Sequence, residues 1–218
     1  MKYYLYISDA KIDMLLPQIP HEAKKKIATE FGFDLKIFKA SHKSEEEIED
    51  NRISRLEAVV AFLREYGNVG SVDEPDEFFD GDQEMAMAQD QCGVLFTSLG
   101  EGSALCLAGS KKHMIGNYAV GDGMSTMSLS MGIYGALQEY ENKGEVSDLK
   151  QPFDPALAIH WIANTFHHDP GIPKQRIEFI AKRLLGRQLC IPDRKNPGKE
   201  EFRGQALLGT PLYLALAD

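Results

Sequence analysis

The chain has 218 residues, 43% of them hydrophobic and 26% charged, a balance that suits one generous globular domain and excludes a disordered or fibrous chain. Twenty-four basic residues stand against 33 acidic ones for a net charge of −9, which argues against whole-surface attraction to nucleic acid or to an anionic membrane. Apolar runs such as 212–217 fall far short of the ~20 residues a membrane span needs.

Residues 3–7 (Tyr-Tyr-Leu-Tyr-Ile) read as a buried first strand, bounded by Ser8 and Asp9. They follow Met1 and Lys2 with none of the features of a secretory signal, so the expected compartment is the cytoplasm. Residues 11–19 read as a short helix with Ile12, Leu15, Leu16 and Ile19 on one face, and 21–31 as a second helix before a turn at Gly32. Alternation over 35–41 suggests a second strand. The acidic run 45–50 leads into an amphipathic helix in which Ile53, Leu56, Val59, Val60 and Leu63 recur at three and four, with Gly67 as its stop.

Residues 73–90 are acidic, with Met85 and Met87 marking a short strand. Segments 93–98 and 103–108, joined by Leu-Gly-Glu-Gly, predict a β-hairpin. A helix over 124–140 carries small residues at Ser128, Gly132 and Gly135, and two more helices are expected over 154–167 and 173–185. Residues 192–204 read as a surface loop, and alternating Leu212, Leu214 and Leu216 end the chain as a strand. The expected fold is one α+β domain over 1–218, a mixed or largely antiparallel sheet packed against several helices, with the N- and C-terminal strands adjacent.

Two clusters follow strands and could converge on one small anionic ligand. Ser8, Asp9 and Lys11 lie just after the first strand, where α/β proteins often bind ligands; Lys11 suits a phosphate or carboxylate. The structural alternative is that Asp9 caps the helix and Lys11 is solvated. Ser110, Lys111 and His113 follow the hairpin and offer a hydroxyl, an ammonium and an imidazole, although the segment lacks the spacing of a phosphate-binding loop. Its structural alternative is a polar turn. A binding or sensor domain for a small anionic ligand, a nucleotide among the candidates, is the leading expectation. The alternatives are a metal-assisted phosphoester hydrolase, with His113 as acid or base and Asp9 and Asp13 on the metal, and a protein-interaction module. No cofactor follows from the residues.

The remaining signals are weaker. Gly121, Gly123, Ser125 and Thr126 open the small-faced helix as caps or as a phosphate cradle. His160 and His167 are seven apart, where helical zinc motifs use four. Cys92, Cys106 and Cys190 are odd in number and scattered, which suits buried thiols in a reducing compartment. Residues 44–90 carry 3 basic against 15 acidic side chains, and 174–203, from Lys174 to Arg203, carry 9 against 4. That basic segment is either the one local route to nucleic acid or a face that complements the acidic segment, within the molecule or across a homodimer.

The opening, from Tyr3-Tyr4-Leu5-Tyr6-Ile7-Ser8-Asp9-Ala10-Lys11-Ile12-Asp13 to Pro20, resembles an uncharacterised bacterial family, frequent in actinobacteria, known as a domain of unknown function. Gly109-Ser110 with His113, Ile115-Gly116, and Leu208-Gly209-Thr210-Pro211-Leu212-Tyr213 are similar to the same family. The resemblance implies one intact domain and no particular activity.

Overall fold

A computed structural model describes residues 2–32, 45–89, 93–116, 154–192 and 200–217. The expected strand over 35–41, the small-faced helix over 124–140 with its glycine-rich start, and Cys92 lie outside the described residues. In chain order the elements are β1 (Tyr3–Ile7), α1 (Asp9–Leu15), a 3₁₀ turn (Leu16–Gln18), α2 (His21–Phe31) and α3 (Glu45–Tyr66). Then come β2 (Val69–Ser71), β3 (Phe78–Gln89), β4 (Gly93–Leu99), β5 (Ser103–Ser110), a 3₁₀ turn (Lys111–His113), α4 (Pro155–His168), β6 (Lys174–Pro192) and β7 (Glu200–Leu216).

The seven strands form one mixed sheet in the order β1-β7-β5-β4-β3-β2, with β6 pairing both β3 and β7. Those pairings close a circuit: β3 to β4, β4 to β5, β5 to β7, β7 to β6, and β6 back to β3. Period-2 alternation then sorts the side chains. Phe79, Met85, Phe96, Leu105, Leu107, Phe179, Leu207 and Leu214 share one buried cluster inside the circuit. Leu95, Ala104, Cys106, Ala108, Ala206 and Leu208, which alternate with them, pack against Ala156, Ile159, Ile162 and Ala163 of α4. A third cluster joins Ile7, Leu212, Tyr213 and Ile180 to Ile12 of α1 and to Leu56, Val59 and Leu63 of α3. The α+β architecture and the paired terminal strands are as the sequence indicates; β1 lies antiparallel to β7.

The long strands bend at irregularities. In the β6/β7 pair, Ile180 opposes Tyr213 and Ala181 opposes Pro211, so Leu212 is an extra residue. Proline has no N–H to give a ladder, and a bulge is where a strand tolerates that loss. The carbonyl of Leu212 accepts the backbone N–H of Ser8 at 2.9 Å, which ties the end of β1 to the bulge.

Four expectations are corrected. Where a helix over 173–185 is expected, residues 174–185 form strand: Ile177, Phe179 and Ala181 fit a period of two as well as Ile177, Ile180 and Leu184 fit a helical face, and two flanking strands satisfy the backbone of β6. The acidic region holds a strand of twelve residues rather than a short one, and Glu200–Gly204 begins β7 rather than ending a loop. Cys106 is buried as expected, but Cys190 is exposed.

The charge division of the sequence becomes cross-strand pairing. Arg176 meets Asp82 at 2.8 Å and Lys182 meets Glu77 at 3.2 Å, across the antiparallel β3/β6 pair. Exposed pairs of this kind are screened by solvent and add little to stability.

At Gly109 the circuit has no room for a side chain. A Cβ there would sit 2.4 Å from the hydroxyl of the fully buried Tyr6. Gly109→Ala is therefore expected to lose about 1–3 kcal/mol in urea denaturation. Gly102→Ala, where a Cβ meets nothing within 4 Å, should stay within about 0.5 kcal/mol of the parent; equal effects at the two positions would contradict this packing.

Candidate functional site

The apolar run of β1 ends at Ile7 because Ser8 breaks it, and the chain turns directly into α1. Ser8 occupies the N-cap position without a side-chain capping bond; its carbonyl accepts from the N–H groups of Lys11 and Ile12 at 3.0 and 3.1 Å. Its hydroxyl instead accepts from Lys11 Nζ at 3.2 Å. With Ser8 only 1% exposed, that hydroxyl positions the lysine.

Asp9 is the first residue of α1 rather than its cap. Its carboxylate receives two hydrogen bonds from Arg52 of α3, both at 2.8 Å, and the same guanidinium donates to the Ile7 carbonyl at 3.1 Å. Four residues on, Asp13 pairs with Arg55, itself buried. Acids four apart on α1 thus meet arginines three apart on α3, the spacing at which side chains share a helix face. Neither arginine stands out in the sequence, since each partner lies more than forty positions away; the available signal is two bases in an otherwise acidic stretch.

The second cluster arrives from β5. The 3₁₀ turn after it carries His113, and the following residues run alongside β1: Met114 bridges Tyr6, and Ile115 N–H donates to the Leu5 carbonyl at 2.9 Å. His113, 7% exposed, sets its ring edge-to-face against Tyr6 with centroids 5.8 Å apart. Its Nδ1 stands 3.7 Å from Asp9 Oδ2, within ion-pair range and beyond a good hydrogen bond. The two sequence clusters therefore meet: Ser8, Asp9 and Lys11 on one side, His113 on the other. Ser110 and Lys111, both half-buried, flank His113 at the end of β5 and the start of the turn.

The electrostatics divide sharply between neighbours. Burial opposes ionisation of Asp9, but His113 and Arg52 outweigh it and hold the carboxyl below its ordinary range. Lys11 has only burial acting on it, which pushes its pKa down to about 8; a desolvated ammonium here has a hydroxyl for a partner and no carboxylate among the described residues. Burial also pushes the Tyr6 phenol up to about 12, so it stays neutral. Asp9 and Asp13, the acids a metal would need, are each engaged by an arginine, and no group of three His, Cys, Asp or Glu residues suited to a metal occurs among the described residues.

The histidines singled out in the sequence, His160 and His167, lie on α4 and not in this cluster. His160 is buried on α4, His167 and His168 stack edge-to-face at 5.1 Å near its end, and Asp169 accepts from Gly171 N–H in the turn. No helix among the described residues is long and apolar enough to cross a membrane. The model of a family of unknown function, DUF7019, matches residues 2–218. No curated protein and no solved structure matches the chain.

Asp9 supplies a pH test of this geometry. A carboxyl held low in the folded state stabilises it above the ordinary aspartate pKa of 3.8, and that contribution is lost as pH falls through the lower folded value. Asp9→Asn should cost about 1–2 kcal/mol near neutral pH, after allowing for partial exposure. The gap between variant and parent should close as denaturation is repeated below pH 3.8; a gap independent of pH would contradict the Asp9–Arg52 pairing.

Proposed function

The chain belongs to this family, whose function is unassigned, and from the geometry we propose that it is a binding domain for a small anionic ligand, received where the end of β1 meets the turn after β5. The observation that carries this reading is Lys11: a half-buried ammonium bonded to a neutral hydroxyl at 3.2 Å, with burial as the one force on its titration. An unpaired, desolvated charge is costly, and an anion relieves that cost through charge-assisted hydrogen bonds. Arg52 and Arg55 cancel the charges of Asp9 and Asp13, so Lys11 remains as uncompensated positive charge, and His113 of the turn after β5 stands against Asp9 beside it. A phosphate, sulfate or carboxylate group is the chemistry this recognises, and a nucleotide is one ligand that would carry it. Compartment follows the same reading: a domain whose acidic and basic segments meet in the Arg176–Asp82 and Lys182–Glu77 pairs and whose described cysteines, Cys106 and Cys190, are unbridged is proposed to work in the cytoplasm.

Sulfate, whose charge is constant across the range needed, is the probe. Calorimetric titration should show saturable binding that weakens as pH rises through about 8, where Lys11 loses its proton. Lys11→Met should weaken it about tenfold or more, the size of one charged hydrogen bond. The variant should fold at least as stably at neutral pH, because folding lowers the lysine pKa from 10.5 and its charge therefore opposes folding below about 8. Equal sulfate binding by Lys11→Met, or none by the parent, overturns the proposal.

A further inference from the structure

A cleft of about 650 Å³ opens between α4, the β4–β5 turn and the start of β7. Its apolar wall is Leu99 and Phe202; its polar wall includes Glu101, His160 and Asn164. His160 is 5% exposed, its ring lies 4.5 Å from that of Phe202, and its Nδ1 has no hydrogen-bond partner. A buried polar atom left unpaired is costly and calls for an explanation. Burial lowers the His160 pKa, which favours the neutral imidazole, a form with one ring nitrogen able to accept. The charges around it are uneven. Arg203 is engaged by Glu200, whereas Glu101, exposed on the turn, has no ion-pair partner among the described residues.

We propose that this cleft is a second binding site, distinct from the Lys11 cluster, for a small organic cation: an ammonium or guanidinium on an apolar stem. Glu101 would supply the counter-charge, the His160 imidazole and the Asn164 amide oxygen would accept the remaining N–H groups, and the stem would lie on Leu99 and Phe202. Few polar groups set in an apolar wall are the usual composition of a small-molecule site. An anion is disfavoured because the one arginine of the cleft is already paired and the acids outnumber it.

The probe is agmatine, which carries a guanidinium and an ammonium on an alkyl stem, titrated calorimetrically into the full chain with succinate and 1,4-butanediol as anionic and neutral controls. Saturable agmatine binding at up to millimolar concentration is expected, with neither control competing. Glu101→Gln, on an exposed turn, should weaken it about tenfold or more. His160→Phe should weaken it comparably while leaving the melting temperature unchanged or raised, because it removes an unpaired buried nitrogen. Sulfate binding at Lys11 should be unaffected by either variant, so the two sites fail or stand separately. Absence of saturable agmatine binding by the folded parent, stronger binding of either control, or full agmatine affinity in Glu101→Gln overturns the assignment.

Discussion

Strand β7 has two edges, and the molecule is arranged by what they hold. One edge is occupied along its length by β6, while the other takes β5 over 205–209 and then β1 over 213–216. β5 runs parallel to β7 and β1 antiparallel to it. The bulge at Leu212 accepts the Ser8 N–H just where β1 gives way to α1. Because the turn after β5 then runs back along β1, polar residues about a hundred positions apart in the chain are delivered to one place. Packing inside the strand circuit depends on the same pairing, since Tyr6, Leu105, Leu107 and Leu214 share a cluster only when β1, β5 and β7 are side by side.

That placement sets the charge balance of the cluster. A lone carboxylate at Asp9 would sit half-buried at the price of its hydration; Arg52 meets it with two bonds and ties the same guanidinium to the end of β1. Lys11 receives no such compensation, and its low pKa is the consequence. The net charge of −9 conceals this arrangement, in which Asp82 and Glu77 meet Arg176 and Lys182 of β6 while Lys11 beside β1 has a hydroxyl for its partner and no carboxylate among the described residues.

Much of the fold was legible from local pattern. Period-2 runs located β1, the β4–β5 hairpin and the end of β7, and apolar spacing with Gly67 placed α3. β6 was not legible, because Ile177, Phe179, Ile180, Ala181 and Leu184 satisfy a helical and a strand period together, and only the strands on either side decide between them. For the cluster, Ser8, Asp9, Lys11 and His113 could be picked out because polar residues directly follow strands. Arg52 and Arg55 could not, since their meaning rests on contacts between α1 and α3. His160 illustrates a different gap: its spacing to His167 directs attention to metals, while what distinguishes it is an unpaired buried nitrogen, which only the packing around Phe202 reveals.

The central claim is that β7 brings an uncompensated lysine into a site that takes an anion. Direct NMR titration of the Lys11 side-chain amine, with and without sulfate, tests it most directly. The account predicts a pKa near 8 in the free protein and a rise when sulfate is added, because a bound anion favours the charged form. A pKa at the ordinary lysine value of 10.5, unmoved by sulfate, would contradict it.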